Sequence, residues 1–237
     1  ELVIHHDYMV DMHTDISGQI YDLTMGELKA LDFGSWKDAI YANERIATLQ
    51  EALELCAGME GTQVQLELKS PLEDDPDFVP RVLEVLQQTE MVEQVILVSF
   101  NHALLRQAKQ LMPELKVGVL VYGAMETMAL PTSTWEMLGL QNGLEEDDFP
   151  QLPPLSVENV DDENCSWALR WMGNQISMLQ ANFPGKSLVE VAQRLLEQRD
   201  PVKYVQTLDF KPDWVSCEYH TAYSNPDFIP KLQAMGI

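Results

Sequence analysis

The chain has 237 residues, 46% of them hydrophobic, which suits one large domain or two small ones with a sizeable core and excludes wholesale disorder. Its 15 Lys and Arg stand against 38 Asp and Glu, a formal charge of -23. The basic footprint that grips a nucleic-acid backbone is therefore missing, and phosphate chemistry here needs a bound cation or a local Lys to invert the field. Cys56, Cys165 and Cys217 are far apart with no C-x-x-C pair, which argues against a zinc cage or a disulfide framework and fits a reducing, cytoplasmic setting. No apolar run approaches the roughly 18 residues of a membrane span. The first seven residues lack the basic start and apolar middle of a signal peptide. Nothing in the pattern sets an oligomeric state.

In chain order, Leu2-Val-Ile4 reads as a strand already under way, and Asp15-Ile-Ser-Gly18 supplies turn chemistry for a hairpin or excursion loop. Thr24-Met-Gly-Glu27 and Thr48-Leu-Gln-Glu51 have capping-box spacing, and each predicts a helix start. Three apolar runs then predict buried strands: Val64 to Leu68, Val95 to Ser99 and Val117 to Val121. Between them Val79, Val82, Leu83 and Leu86, and then Ala103, Leu104, Ala108 and Leu111, recur at helical spacing. Strand, helix, strand, helix predicts a parallel sheet with crossover helices. A fourth strand is expected from Trp214 to Glu218 after a helical stretch from Leu188 to Leu196. A last helix follows from Phe228 to Met235, with Gly236 as its C-cap. Residues 124–212 interrupt this rhythm with an acidic Pro-rich piece and an amphipathic stretch from Trp167 to Leu179. They read as an insertion between two strands, separating residues 1–123 from 213–237 and serving either as a lid or as a small packed subdomain.

Two constellations can carry chemistry. His5-His6-Asp7 follows the first apolar run, and a His beside an Asp can transfer protons with its tautomer fixed by the carboxylate. The same triplet is also common on ordinary surfaces; His13, His102 and His220 have weaker local cases. Glu67 and Lys69 are two apart on a strand, so they share a face. On a solvated face that is plain polar alternation. At the C-terminal mouth of a parallel barrel, Glu67 can bind a hard cation and Lys69 a phosphate oxygen.

At the level of motifs the chain resembles the glycerophosphodiester phosphodiesterase family. Leu2-Val-Ile-His-His-Asp7 is similar to its V-V-I-H-D segment and Asp11-Met-His-Thr-Asp-Ile-Ser-Gly18 to D-R-T-T-x-x-x-G. Asp22 to Leu28 is similar to D-L-T-L-x-E-L, Leu31 to Trp36 to L-D-A-G-S-W, and Arg45 to Glu51 to R-I-P-T-L-x-E. Leu66-Glu-Leu-Lys69 falls on I-E-I-K and Ser99-Phe100 on the S-F strand end. The motifs occur in family order as far as about Tyr122. Met12 and His13 stand where the pattern has Arg-Thr, and Ala47 where it has Pro. The family's H-R-G strand and E-x-D pair would precede Glu1, and its W-T-V-N strand would follow Ile237.

The resemblance implies an α/β, TIM-type (β/α)8 barrel lacking its first and last strands in these residues. It implies hydrolysis of a small-molecule glycerophosphodiester to glycerol 3-phosphate and an alcohol with a divalent cation, Ca2+ or Mg2+. Carried over by position, His6 becomes a proton-transfer group, Glu67 a metal ligand and Lys69 a phosphate contact, with Glu218 a further substrate contact. A barrel that has lost catalysis and serves as a binding or scaffold module stays open, as does a related phosphodiesterase for another head group.

Overall fold

The computed structural model of the protein describes residues 1–59, 61–69, 75–121, 200–217 and 225–237, with single positions 182, 186, 197, 198 and 222. The stretches read as helices at Trp167 to Leu179 and Leu188 to Leu196, and the acidic Pro-rich piece before them, lie outside the described residues. Two compact units divide the chain: among described residues, 1–64 and 75–95 fall in the first, and 65–69, 96–121, 200–217 and 225–237 in the second.

In the first unit both predicted capping boxes form. Thr24 accepts the Glu27 amide while Glu27 returns to the Thr24 amide at the head of α1 (Met25–Ala30). Thr48 and Glu51 repeat the exchange at the head of α2 (Leu49–Ala57), satisfying amides that a helix start otherwise leaves orphaned. Lys29, in the last turn of α1, donates to the capping Glu51 at 2.6 Å, which ties the end of α1 to the start of α2. Val10, Leu28 and Ile46 make a small core with Val3, Ile20, Leu23 and Phe33 against it. α3 (Phe78–Gln88) buries Val79, Val82, Leu83 and Leu86 on one face and packs on α2. The opening run does not extend as a strand: Val3 makes one isolated antiparallel bridge to Thr48. A segment flanked by irregular backbone closes single bridges where a continuous partner edge is missing. The excursion loop does close, through the Met9 and Gln19 bridge, with Gly18 at φ 146, a conformation side chains rarely adopt.

The sheet has the order β1 (Val64–Glu67), β2 (Val95–Ser99), β3 (Lys116–Val121), β4 (Trp214–Cys217). β2 to β3 and β3 to β4 are parallel; the Val64 and Leu68 amides bond to Gln94 and Val98 in step, as parallel neighbours do. Val95, Leu97, Val98, Val117, Val119 and Val121 are buried, giving the near-continuous apolar run of a parallel strand covered on both faces. Full burial of one such side chain as Leu97 contributes about 1.5–3 kcal/mol. Gly118 sits between Val98 and Trp214 in register, where an added Cβ would stand 2.9 Å from Val98 Cγ1 and 3.1 Å from Trp214 Cβ.

β2 returns to β3 through α4 (His102–Leu111), which Asn101 caps by accepting the Ala103 amide at 3.1 Å. α5 (Pro201–Gln206) starts with Asp200 as cap and Pro at its first position, a start signal that the hydrophobic pattern alone does not reveal. α6 (Phe228–Ala234) packs on α5, and Val202, Phe228 and Leu232 form their shared core. Gly236 follows with φ 73, the left-handed stop expected of a C-cap glycine. Among the described residues no helix is long and apolar enough to cross a membrane.

Candidate active site

In the first unit, four titratable side chains gather where irregular backbone leaves the Val3 bridge. His6 is the outermost, its side chain 66% exposed, and its Nδ1 lies 2.8 Å from Asp7 Oδ1. A carboxylate can only accept, so Nδ1 carries the proton, and in the neutral ring Nε2 is left as the atom that can take or deliver one. His5, next in sequence, is half-buried instead: its Nδ1 donates to the Asp7 backbone carbonyl at 2.6 Å, and its Nε2 meets His13 Nδ1 at 3.2 Å. Burial, ahead of every other influence, holds the His5 pKa below the ordinary 6.5; the Asp7 carbonyl bond opposes that and the nearby His13 adds to it. His5 is thus a neutral Nδ1–H ring whose Nε2 can only accept, and the proton between the two rings belongs to His13 Nδ1.

His13 also lies 3.8 Å from Asp7 Oδ2 and against the Trp36 ring, 4.5 Å between centroids. Trp36 is held by its own loop. Its indole N–H donates to Phe33 O at 2.8 Å, and the loop is knotted on Asp32, whose carboxylate accepts from the amides of Gly34, Ser35 and Asn43 and from the Ser35 hydroxyl. These four donors, the Asn43 amide first, hold the Asp32 carboxyl far below the usual carboxylate range. The knot leaves no room at Gly34, where a Cβ would fall 1.9 Å from Tyr41 O.

In the second unit, Glu67 ends β1 and Lys69 follows two residues later, with Leu68 between them 2% exposed and pointing to the opposite face. Lys69 Nζ pairs with Glu67 Oε1 at 2.8 Å, both half-buried. Neighbouring Ser99, at the end of β2, donates its hydroxyl to Leu68 O at 2.8 Å and accepts the Asn101 amide at 3.0 Å, which fixes the backbone on which the pair is mounted. The C-terminal ends of parallel strands are where such sheets carry their chemistry. Glu218 and His220 lie outside the described residues. Among the described residues no group of three or more His, Cys, Asp or Glu side chains is arranged to hold a metal ion.

His102, at the first position of α4, gives little local signal in sequence and is nevertheless highly connected. Its Nε2 donates to Leu120 O at 2.9 Å and its Nδ1 accepts the Tyr204 hydroxyl at 2.8 Å. Desolvation first of all lowers its pKa from 6.5, so it is a neutral clamp between α4, β3 and α5.

The sequence profile of the Glycerophosphoryl diester phosphodiesterase family matches residues 1–146. A glycerophosphodiester phosphodiesterase of Caldanaerobacter subterraneus subsp. tengcongensis is 38% identical over 119 residues, 50% of this chain and 49% of that relative. One from Bacillus altitudinis is 28% identical over 122 residues, again 50% and 49%. The chain spans about half the length of the curated relatives it matches. The crystal structure of a glycerophosphodiester phosphodiesterase from Parabacteroides distasonis is similar in fold over 99% of this chain and 62% of its own, with a TM-score of 0.50 at 15% identity. The fold class is accordingly α/β of the TIM-barrel type, represented among the described residues by four strands. By the match across its first 146 residues, which contains the His6-Asp7 pair, the Asp32 knot and the Glu67-Lys69 strand end, the chain belongs to the glycerophosphoryl diester phosphodiesterase family.

Proposed function

We propose that the protein hydrolyses glycerophosphodiesters to glycerol 3-phosphate and an alcohol, with His6 as a proton-transfer group and Lys69 as a phosphate contact. The observation that carries this reading is the His6-Asp7 pair: an exposed imidazole with Nδ1 committed to a carboxylate and Nε2 left for exchange. In hydrolysis, the oxygen of a water bonds to phosphorus, the bond from phosphorus to the alcohol oxygen breaks, and the water's proton ends on the departing alcohol. A protonated His6 can deliver a proton to that oxygen from Nε2, and the neutral ring can take one up. Lys69, an ammonium among an excess of carboxylates, supplies the positive charge that a phosphate needs, and substrate has to draw it from Glu67. Family membership and the 38% identity to a glycerophosphodiester phosphodiesterase support the substrate class.

A divalent cation, Ca2+ or Mg2+, belongs to the proposal through Glu67, whose carboxylate offers a hard oxygen ligand. The described residues do not by themselves assemble a site for it, and Glu67 already faces Lys69. When bound, such an ion neutralises charge developing on the phosphoryl oxygens. Chelation by EDTA, with restoration by added cation, tests the requirement; undiminished turnover after chelation would remove Glu67 from the metal role.

The decisive measurement is release of glycerol 3-phosphate from glycerophosphodiesters by the protein and by His6→Ala and His5→Ala. Loss of a general acid or base costs about 10²–10⁴-fold in rate, so His6→Ala should fall by that much and His5→Ala by far less. Equal activities in the two variants would overturn the assignment. A protein that binds the diester without turning it over would favour the scaffold reading.

A further inference from the structure

His13 stands where the family pattern has Thr, and its ring is not idle: it donates from Nδ1 to His5 Nε2 at 3.2 Å, lies 3.8 Å from Asp7 Oδ2 and stacks edgewise on Trp36. Asp7 is thus approached on both oxygens, by His6 at Oδ1 and His13 at Oδ2, while its backbone carbonyl is held by His5. We propose that His13 is a positioning residue: bonded to His5, which itself holds the Asp7 backbone carbonyl, it stands beside the second oxygen of the Asp7 carboxylate and so sets how firmly Asp7 grips the proton on His6 Nδ1. The inference rests on the reading of His6 as the proton-transfer group.

The tautomers make the device directional. His5 Nδ1 is committed to a carbonyl, so His5 Nε2 must accept and His13 Nδ1 must donate. The next proton to reach the pair therefore enters at His13 Nε2, where it strengthens the bond to His5 rather than breaking it. A proton on His5 Nε2 would set two N–H groups against each other, and burial already disfavours it. The charge so formed sits beside Asp7 Oδ2 and competes with His6 for one carboxylate. The titratable groups facing this ring are His5 and Asp7, with His6 across the carboxylate; Phe33 and Trp36 supply apolar walls to His5 and His13. Two positive rings sharing one carboxylate repel, so a charge on His13 works against a charge on His6 through Asp7.

The test follows imidazole nitrogen shifts by NMR during a pH titration of the protein, His13→Asn and His13→Ala. Asn keeps a donor to His5 and removes the charge; Ala removes both. In the unaltered protein His5 and His13 should both appear as Nδ1–H tautomers. The His6 midpoint should rise in both variants, because each removes the competing charge from Asp7. An unmoved His6 midpoint, or a His13 that holds its neutral proton on Nε2, would overturn the proposal; the tautomer reading needs no variant and survives a variant that does not fold. The acid limb of kcat/KM should move with the His6 midpoint. If the midpoint moves and the limb does not, the positioning stands and the catalytic reading of His6 falls.

Discussion

Histidine does opposite work in the two units. His5 and His102 are both desolvated and both held below their ordinary pKa, so burial alone does not tell them apart. The partners do. Both nitrogens of His102 end on a carbonyl and a phenol, groups that do not titrate near neutrality, and the ring closes a joint between α4, β3 and α5. The His5 nitrogens lead instead to a second imidazole and to the backbone of a carboxylate that a third imidazole shares. A ring whose bonds end on neutral groups is structure; a ring whose bonds lead to other titratable groups can pass a change in protonation along.

The largest effect that would sharpen this contrast is on His102. His102→Ala removes the imidazole partner of the half-buried Tyr204 hydroxyl and Leu120 carbonyl and empties the buried site of the ring, a loss of roughly 1–3 kcal/mol that chemical denaturation should register. His6→Ala, on an exposed side chain, should stay within about 0.5 kcal/mol of the parent. A His6 variant as unstable as the His102 variant would break the comparison.

Acid should separate them next. His102 binds its proton less readily folded than unfolded, so its contribution to stability is complete above about pH 6.5 and is lost as pH falls from there toward its lower folded value. Melting temperature should therefore drop between pH 7 and 5.5, and His102→Gln should flatten that slope. His5 acts in the same direction, so a residual slope in the variant is expected. Smaller again is Thr48→Ala, which removes one half of a capping box and should cost about 1 kcal/mol by denaturant titration. Arg106, whose Nε meets Asp209 at 2.7 Å on an exposed surface, should matter least: Arg106→Ala is expected to cost less than about 1 kcal/mol, and the cost should shrink further in salt.

Much of the fold is legible in the sequence because its signals are local. The β-branched runs at 64, 95, 117 and 214 become the four strands, and Thr-x-x-Glu marks two helix starts to the residue. The run at Leu2-Val-Ile4 carries the same composition yet yields one bridge, since strand propensity needs a partner edge that only tertiary structure provides. α5 could have been found from Asp200 followed by Pro201, a start signal independent of periodicity. In the candidate site, the adjacency of His6 and Asp7 and the two-residue spacing of Glu67 and Lys69 are visible because each partner is a sequence neighbour. His102 is not, its partners lying 102 and 18 residues away. His13 marks the boundary: eight residues from His5, it shows as a departure from the family pattern, but its bond requires the turn at Gly18 that folds residues 9 to 19 back on themselves.

The Asp32 knot gives the histidine cluster a fixed frame in acid. A carboxylate fed by four donors stays ionised well below the pH at which imidazoles gain their protons, and its contribution is lost only as pH falls below the ordinary carboxylate value of 3.8 toward its own. Between pH 5 and 7, therefore, the loop that presses Trp36 against His13 does not titrate through Asp32. Indole fluorescence is quenched more strongly by a charged imidazole than by a neutral one. Trp36 accordingly sits as a built-in optical reporter of the charge on His13, read against a backdrop that acid leaves in place.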